Sequence, residues 1–190
     1  NDWINAVQTM DALVEEKGVH SLQHAWADFS TMLGSGFEQV KQAQDGHESL
    51  FDLRSTLKNL VGMGVYAPDW QRAHYPGIRS VGLLESTVFD PAKWRPMTES
   101  AALANHLPDD DYWAAKQILA FTDDDLRVVV KVAQYTDPRA EEWVSKCLME
   151  RRDKVVRYFL DRVLPLENFR IEDGTLRFDD LAVQRGFRSA

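Results

Sequence analysis

Between Asp109 and Pro165 the sequence spells three helices in succession, each with its own start signal, and this run constrains the fold more than any other feature. Asp109 to Phe121 opens with three carboxylates, which the positive end of a helix favours, and carries Tyr112, Trp113, Ile118 and Leu119 on one side. Thr122 then supplies an N-cap hydroxyl, Asp123, Asp124 and Asp125 fill the next first turn, and Leu126, Val129, Val130 and Val132 continue the pattern to about Tyr135. Asp137-Pro138 starts the third helix with an acid at the N-cap and a proline where the missing N–H costs nothing. Trp143, Val144, Cys147, Leu148, Val155, Tyr158, Phe159 and Val163 give it an apolar face over some seven turns, and Pro165 stops it. Three amphipathic helices must bury their stripes together, so 109–190 is expected to form a three-helix bundle with a C-terminal hairpin. The hairpin is "FRIEDGTLRF", two alternating runs about Asp173-Gly174.

The first 108 residues are less regular. Met10 to Glu15 and Val19 to Phe29 flank "EKG" and predict a second hairpin, followed by a glycine-rich loop to residue 48. Leu50, Phe51, Leu53, Leu57, Leu60 and Val61 recur at helical spacing, ended by Gly62 and Gly64. From Pro68 to Pro108 prolines and turn residues surround Trp70, Tyr75, Phe89 and Trp94, which predicts an ordered but irregular segment pinned by its aromatics. Any of these four rings left uncovered is a candidate partner interface. The chain thus reads as mainly α with two β-hairpins, one domain or the C-terminal lobe of a longer chain, with 1–48, 49–108 and 109–190 as its parts.

Composition narrows the function classes. With 190 residues, 44 % of them apolar, the chain can build a core, and no apolar run is long enough for a membrane helix. A net charge of −8 argues against a nucleic-acid footprint and against adhesion to an anionic membrane. Cys147 is the only cysteine and lies in an apolar helical stripe, which marks a buried structural thiol. The acid triplets at 109–111 and 123–125 fit helix starts without a metal. His20 and His24 share one face of a strand but lack a third ligand at matching spacing. "RRDK", Arg151 to Lys154, reads as a solvated face offset by Glu141, Glu142 and Glu150.

One corner stands apart. "HAWADFSTMLGSG" ends an apolar strand in Asp28-Phe29-Ser30, one letter from the Asp-Phe-Gly that holds Mg²⁺ against nucleotide phosphates in kinase-like enzymes. Together with "YWAAKQILAFTDDDLRVVVKVAQYTDPRAEEWVSKCLMERRDKVVRYFLDRVLPLENFRI" and "DGTLRFDDLAV", this stretch resembles the C-terminal part of a family of uncharacterised bacterial proteins with a kinase-like core. The resemblance covers about half the chain, mostly its end. It implies the helical C-lobe of a kinase-like fold, with a catalytic-loop Asp, a metal-binding Asn and a metal-binding Asp. "QTMD" stands where that family has "NTLD", so Gln8 occupies the Asn position; Trp3 occupies the Asp position, with Asp2 one place out of register. Only Asp28 is retained, as a vestigial metal position, and it is expected to accept hydrogen bonds from loop N–H groups or Ser30. The nucleotide-covering lobe would precede Asn1. The expectation is therefore a pseudoenzyme: a non-catalytic accessory, scaffold or structural subunit, bacterial and soluble, with no cofactor, whose partner is another protein or the rest of a longer chain. The rival expectations are a fragment of an ATP- and Mg²⁺-dependent phosphotransferase and a module binding a small anion.

Overall fold

The structure is a computed structural model that describes residues 9–16, 18–26, 33, 42–44, 46–47, 53–63, 65, 67–95 and 104–189. Among these residues it is mainly helical with two antiparallel hairpins, the α+β class that the sequence implies. The chain divides into two compact units: residues 1–88 with 93–99, and residues 89–92 with 100–190.

The first unit begins with strands β1 (Thr9–Glu16) and β2 (Val19–Trp26), paired antiparallel from Thr9↔Trp26 to Glu16↔Val19. Gly18 at φ 78° lies in the turn, where a residue with a Cβ would be strained. Helix α1 (Leu53–Val61) follows. Its last turn is closed by the Gly62 N–H donating to the Lys58 carbonyl. Residues 67–95 are irregular apart from a 3₁₀ turn at Asp69–Arg72, as their prolines dictate. Leu84, Glu85 and Ser86 are buried within this segment. The Glu85 carboxylate closes a local turn by accepting from Thr87 Oγ1 and the Val88 N–H, each at 2.8 Å.

The second unit is built on α2 (Pro108–Ala120), α3 (Asp123–Val132) and α4 (Pro138–Leu160). The start signals act as the sequence suggests. Asp110 accepts from the Leu107 N–H at 2.9 Å, Thr122 and Asp125 form a reciprocal capping box, and Asp137 accepts from the Arg139 N–H at 3.0 Å. The long helix α4 packs against both α2 and α3. Its N-terminal half buries Ala140, Val144 and Cys147, while Val130 is buried on α3. Its C-terminal half joins Val156 and Leu160 to Ala115 and Leu119 of α2, with Tyr112, Ile118, Phe159, Leu181 and Phe187 packed around them.

Several side-chain placements differ from the sequence reading: on α3 only Val130 of the apolar stripe is buried, while Val129 and Val132 are exposed. Trp113 is not on the buried side of α2 but 65 % exposed. The spacing of Tyr112, Ala115 and Leu119 sets the buried stripe, and a step of one residue turns Trp113 away from it. Trp143 and Leu148 flank the Ala140–Val144–Cys147 stripe and are half-buried. Cys147 itself is buried, as expected of a structural thiol.

After Pro165 come β3 (Leu166–Glu172) and β4 (Thr175–Asp180), then the short helix α5 (Leu181–Gln184). Asp173 (φ 51°) and Gly174 (φ 73°) both take the left-handed conformation that a tight two-residue hairpin turn needs. Pairing is regular from Glu172↔Thr175 to Arg170↔Arg177 and then slips by one residue before Glu167↔Asp179. Asn168, at φ 52°, takes up the slip as a bulge and donates to Asp179 Oδ2 at 2.8 Å.

Candidate interaction site

Asp28, Gln8 and Asp2, the positions matched to the kinase-like corner, lie outside the described residues. His20 and His24 stand on β2 with Glu15 and Asp11 as their cross-strand partners in register.

The other charged clusters singled out in the sequence are engaged in holding the second unit together. Asp110 and Asp125 cap helix starts, Asp111 pairs with His106 at 2.7 Å, and Asp124 pairs with Arg127 at 3.0 Å. Hydrogen bonds from Thr122 hold the Asp125 carboxyl below its usual range. The "RRDK" turn is not simply a solvated face. The Arg151 guanidinium lies 4.6 Å from the Phe89 ring centre, and Lys154 donates to the Phe89 carbonyl at 3.0 Å. Arg152 is only 12 % exposed; it donates to the Phe121 carbonyl at 2.9 Å and pairs with Asp123 at 2.7 Å and Asp153 at 2.8 Å. It thereby caps the C-terminus of α2 and tethers the N-terminus of α3 at once. Arg185 and Arg188 likewise donate to the Leu119 and Leu160 carbonyls near the ends of α2 and α4. Among the described residues no three His, Cys, Asp or Glu side chains converge as a metal set.

The four aromatic candidates are all half-buried. Phe89 belongs to the second unit, beneath Arg151. Trp70, Tyr75 and Trp94 belong to the first, where an ion pair between Asp69 and Lys93 at 3.5 Å links the two stretches that carry the tryptophans.

A further group of uncovered apolar side chains lies elsewhere. On one face of the β3–β4 hairpin stand Phe169 (61 % exposed), Ile171 (77 %), Leu176 (58 %) and Phe178 (45 %). Alternation places 169 with 171 and 176 with 178, and the register sets Ile171 opposite Leu176. The two phenylalanine rings are 5.8 Å apart and tilted, a packed aromatic pair. The other face is ionic: Glu172 bridges Arg170 (3.1 Å) and Arg177 (2.9 Å), and Arg170 also reaches Asp179 at 3.4 Å. Ion pairing relieves the repulsion of two arginines placed directly opposite.

The base of the hairpin is fixed. Tyr112 and Lys116, one turn apart on α2, both donate to Glu167 Oε1. Lys116 holds the Glu167 carboxyl below its usual range, against burial, with Tyr112 helping. Burial pushes the Tyr112 hydroxyl up to about 12, reinforced by its bond to Glu167 and that group's charge. The result is a hairpin anchored at one end, with an apolar face presented at the other. The signal for it was in "NFRIEDGTLRF": alternation puts Phe169, Ile171, Leu176 and Phe178 on one face of the hairpin.

No family model matches the chain, and neither does any curated protein or solved structure. No helix among the described residues is long and apolar enough to cross a membrane.

Proposed function

We propose that this chain is a non-catalytic interaction subunit, an accessory or scaffold protein built on a degenerate kinase-like helical lobe. The observation that supports this reading is the uncovered face of the β3–β4 hairpin. Four large apolar side chains are exposed together on an element whose base is firmly anchored. Ordered, contiguous apolar surface of this kind is costly to leave in water and usually marks a contact with another macromolecule. The kinase-like half of the proposal rests on the resemblance at Asp28-Phe29-Ser30 and along 112–171. The loss of the Asn at position 8 and of the Asp at position 3 argues against retained phosphotransfer: a lone Asp28 carboxylate offers too few ligands to hold Mg²⁺.

Thermal denaturation with and without Mg-ATP tests it. An interaction subunit melts at the same temperature in both. A clear stabilisation by Mg-ATP that disappears in Asp28→Asn overturns the proposal in favour of a phosphotransferase fragment.

A further inference from the structure

The hairpin face has a shape and charge balance that suit one partner above others. Two phenylalanines, each of an area on the order of 150–250 Å², and the two aliphatic side chains beside them, all 45–77 % exposed, leave about 400–500 Å² uncovered. Burying that area on two copies removes about 800–1,000 Å² in total, the size of a weak, transient interface. Charge points the same way. The chain carries −8 overall, yet the segment from Asn168 to Phe178 holds Arg170 and Arg177 against Glu172 and Asp173 and is neutral. Two copies meeting there bring together segments with no net charge. The face is also self-complementary. Phe169 and Phe178 pair toward the base, while Ile171 and Leu176 pair toward the turn. Turned about a two-fold axis, the aliphatic end of one hairpin meets the aromatic end of the other, so that wide rings face narrow side chains at both ends.

We infer that this chain self-associates through the β3–β4 hairpins, which pack face to face and antiparallel as a two-fold dimer. This deepens the reading of the chain as an interaction subunit and rests on it. Two-stranded hairpins are marginal by themselves, and a second hairpin laid on the apolar face supplies the missing layer. The interface is small, so the dimer forms and dissociates rapidly. It tightens as salt rises, because salt screens the repulsion between two acidic copies while leaving apolar burial intact.

The test is sedimentation equilibrium on the whole chain from low micromolar to about 100 µM, the range suited to an interface at the small end. The wild type should move from 21.8 kDa toward twice that mass as concentration rises. Ile171→Glu and Phe169→Lys, both at exposed positions, should each weaken association at least about tenfold, with unchanged circular dichroism. Mixing those two variants should restore a heterodimer, because the two-fold arrangement sets residue 171 of one copy against residue 169 of the other. Leu57→Glu, at an exposed site on α1, should leave the mass unchanged. A wild type that stays at 21.8 kDa throughout, a dimer untouched by Ile171→Glu, or a variant mixture that stays monomeric overturns the inference. A monomeric result with no response to Mg-ATP removes the self-association and leaves the interaction subunit standing. Stabilisation by Mg-ATP removes that reading instead.

Discussion

Helices α1 and α4 carry apolar stripes of the same kind and meet opposite fates. In α4, Ala140, Val144, Cys147, Val156 and Leu160 recur at helical spacing and are at most 1 % exposed. In α1, Leu53, Leu57, Leu60 and Val61 recur just as well and are 51–80 % exposed, and Met63 and Val65 beyond them are more so. Periodicity states which side of a helix is apolar; only a partner surface decides whether that side is buried. In α4 the partners are α2, which contributes Ala115 and Leu119, and α3, which contributes Val130, in a run of helices joined by short, capped turns. The flanking arginines keep those helix ends satisfied.

The contrast breaks most sharply under truncation. Leu160→Ala removes a fully buried side chain at the α2–α4 contact and should cost about 2–5 kcal/mol. Leu57→Ala, formally the same change, should fall within about 0.5 kcal/mol of wild type. Urea denaturation of both variants checks this, and comparable losses would mean that α1 is packed after all.

A smaller effect is expected at Arg152, where the contrast lies in what joins the elements. Arg152→Met keeps the aliphatic stem but removes the bonds to Phe121 and Asp123, at a cost of about 1 kcal/mol after allowing for the half-exposed aspartate. Amide exchange should rise first at the junction from Phe121 to Asp125. An unchanged junction would show that the capping box suffices alone.

The smallest effect concerns the anchored hairpin. The Glu167 carboxyl is depressed, so its contribution is complete above the ordinary carboxylate value, near pH 4.3, and is lost as pH falls through its folded value. The Tyr112 hydroxyl is raised, so its contribution is complete below about pH 10 and is lost as pH rises toward 12. The hairpin base should therefore loosen at both extremes, and Glu167→Gln should remove the acid limb. Exchange of the Leu166 to Glu172 amides across that range reads both limbs; an acid limb retained in Glu167→Gln would place the titrating group elsewhere.

Local signals in the sequence marked the elements of the second unit well. Thr122, Asp137-Pro138 and Asp173-Gly174 act through neighbours one to three residues away, so a short window of sequence contains the whole interaction. What was not legible depends on distant residues. Arg152 reads as one of three cations on a polar turn, and only the tertiary fold brings it to Phe121 and Asp123, about thirty residues earlier. Tyr112 and Lys116 find Glu167 in the same way, across more than fifty residues. Trp113 shows the finer limit: size and hydrophobicity suggested burial, but the angular step along α2 turned it outward. The candidate site followed the same rule. The alternation around Asp173-Gly174 spelled out the hairpin, whereas its uncovered state depends on what the rest of the fold fails to place against it.

Cys147 gives the protein a built-in reporter. It is the chain's single sulfhydryl and is 1 % exposed on the inner side of α4. A thiol reagent can reach it only during the moments when α4 parts from its neighbours, because the attacking thiolate must first form in contact with solvent. The rate at which an aromatic disulfide reagent labels the native protein is therefore a clock for the opening of the helical core. It needs no introduced label, and it runs independently of whatever happens at the hairpin.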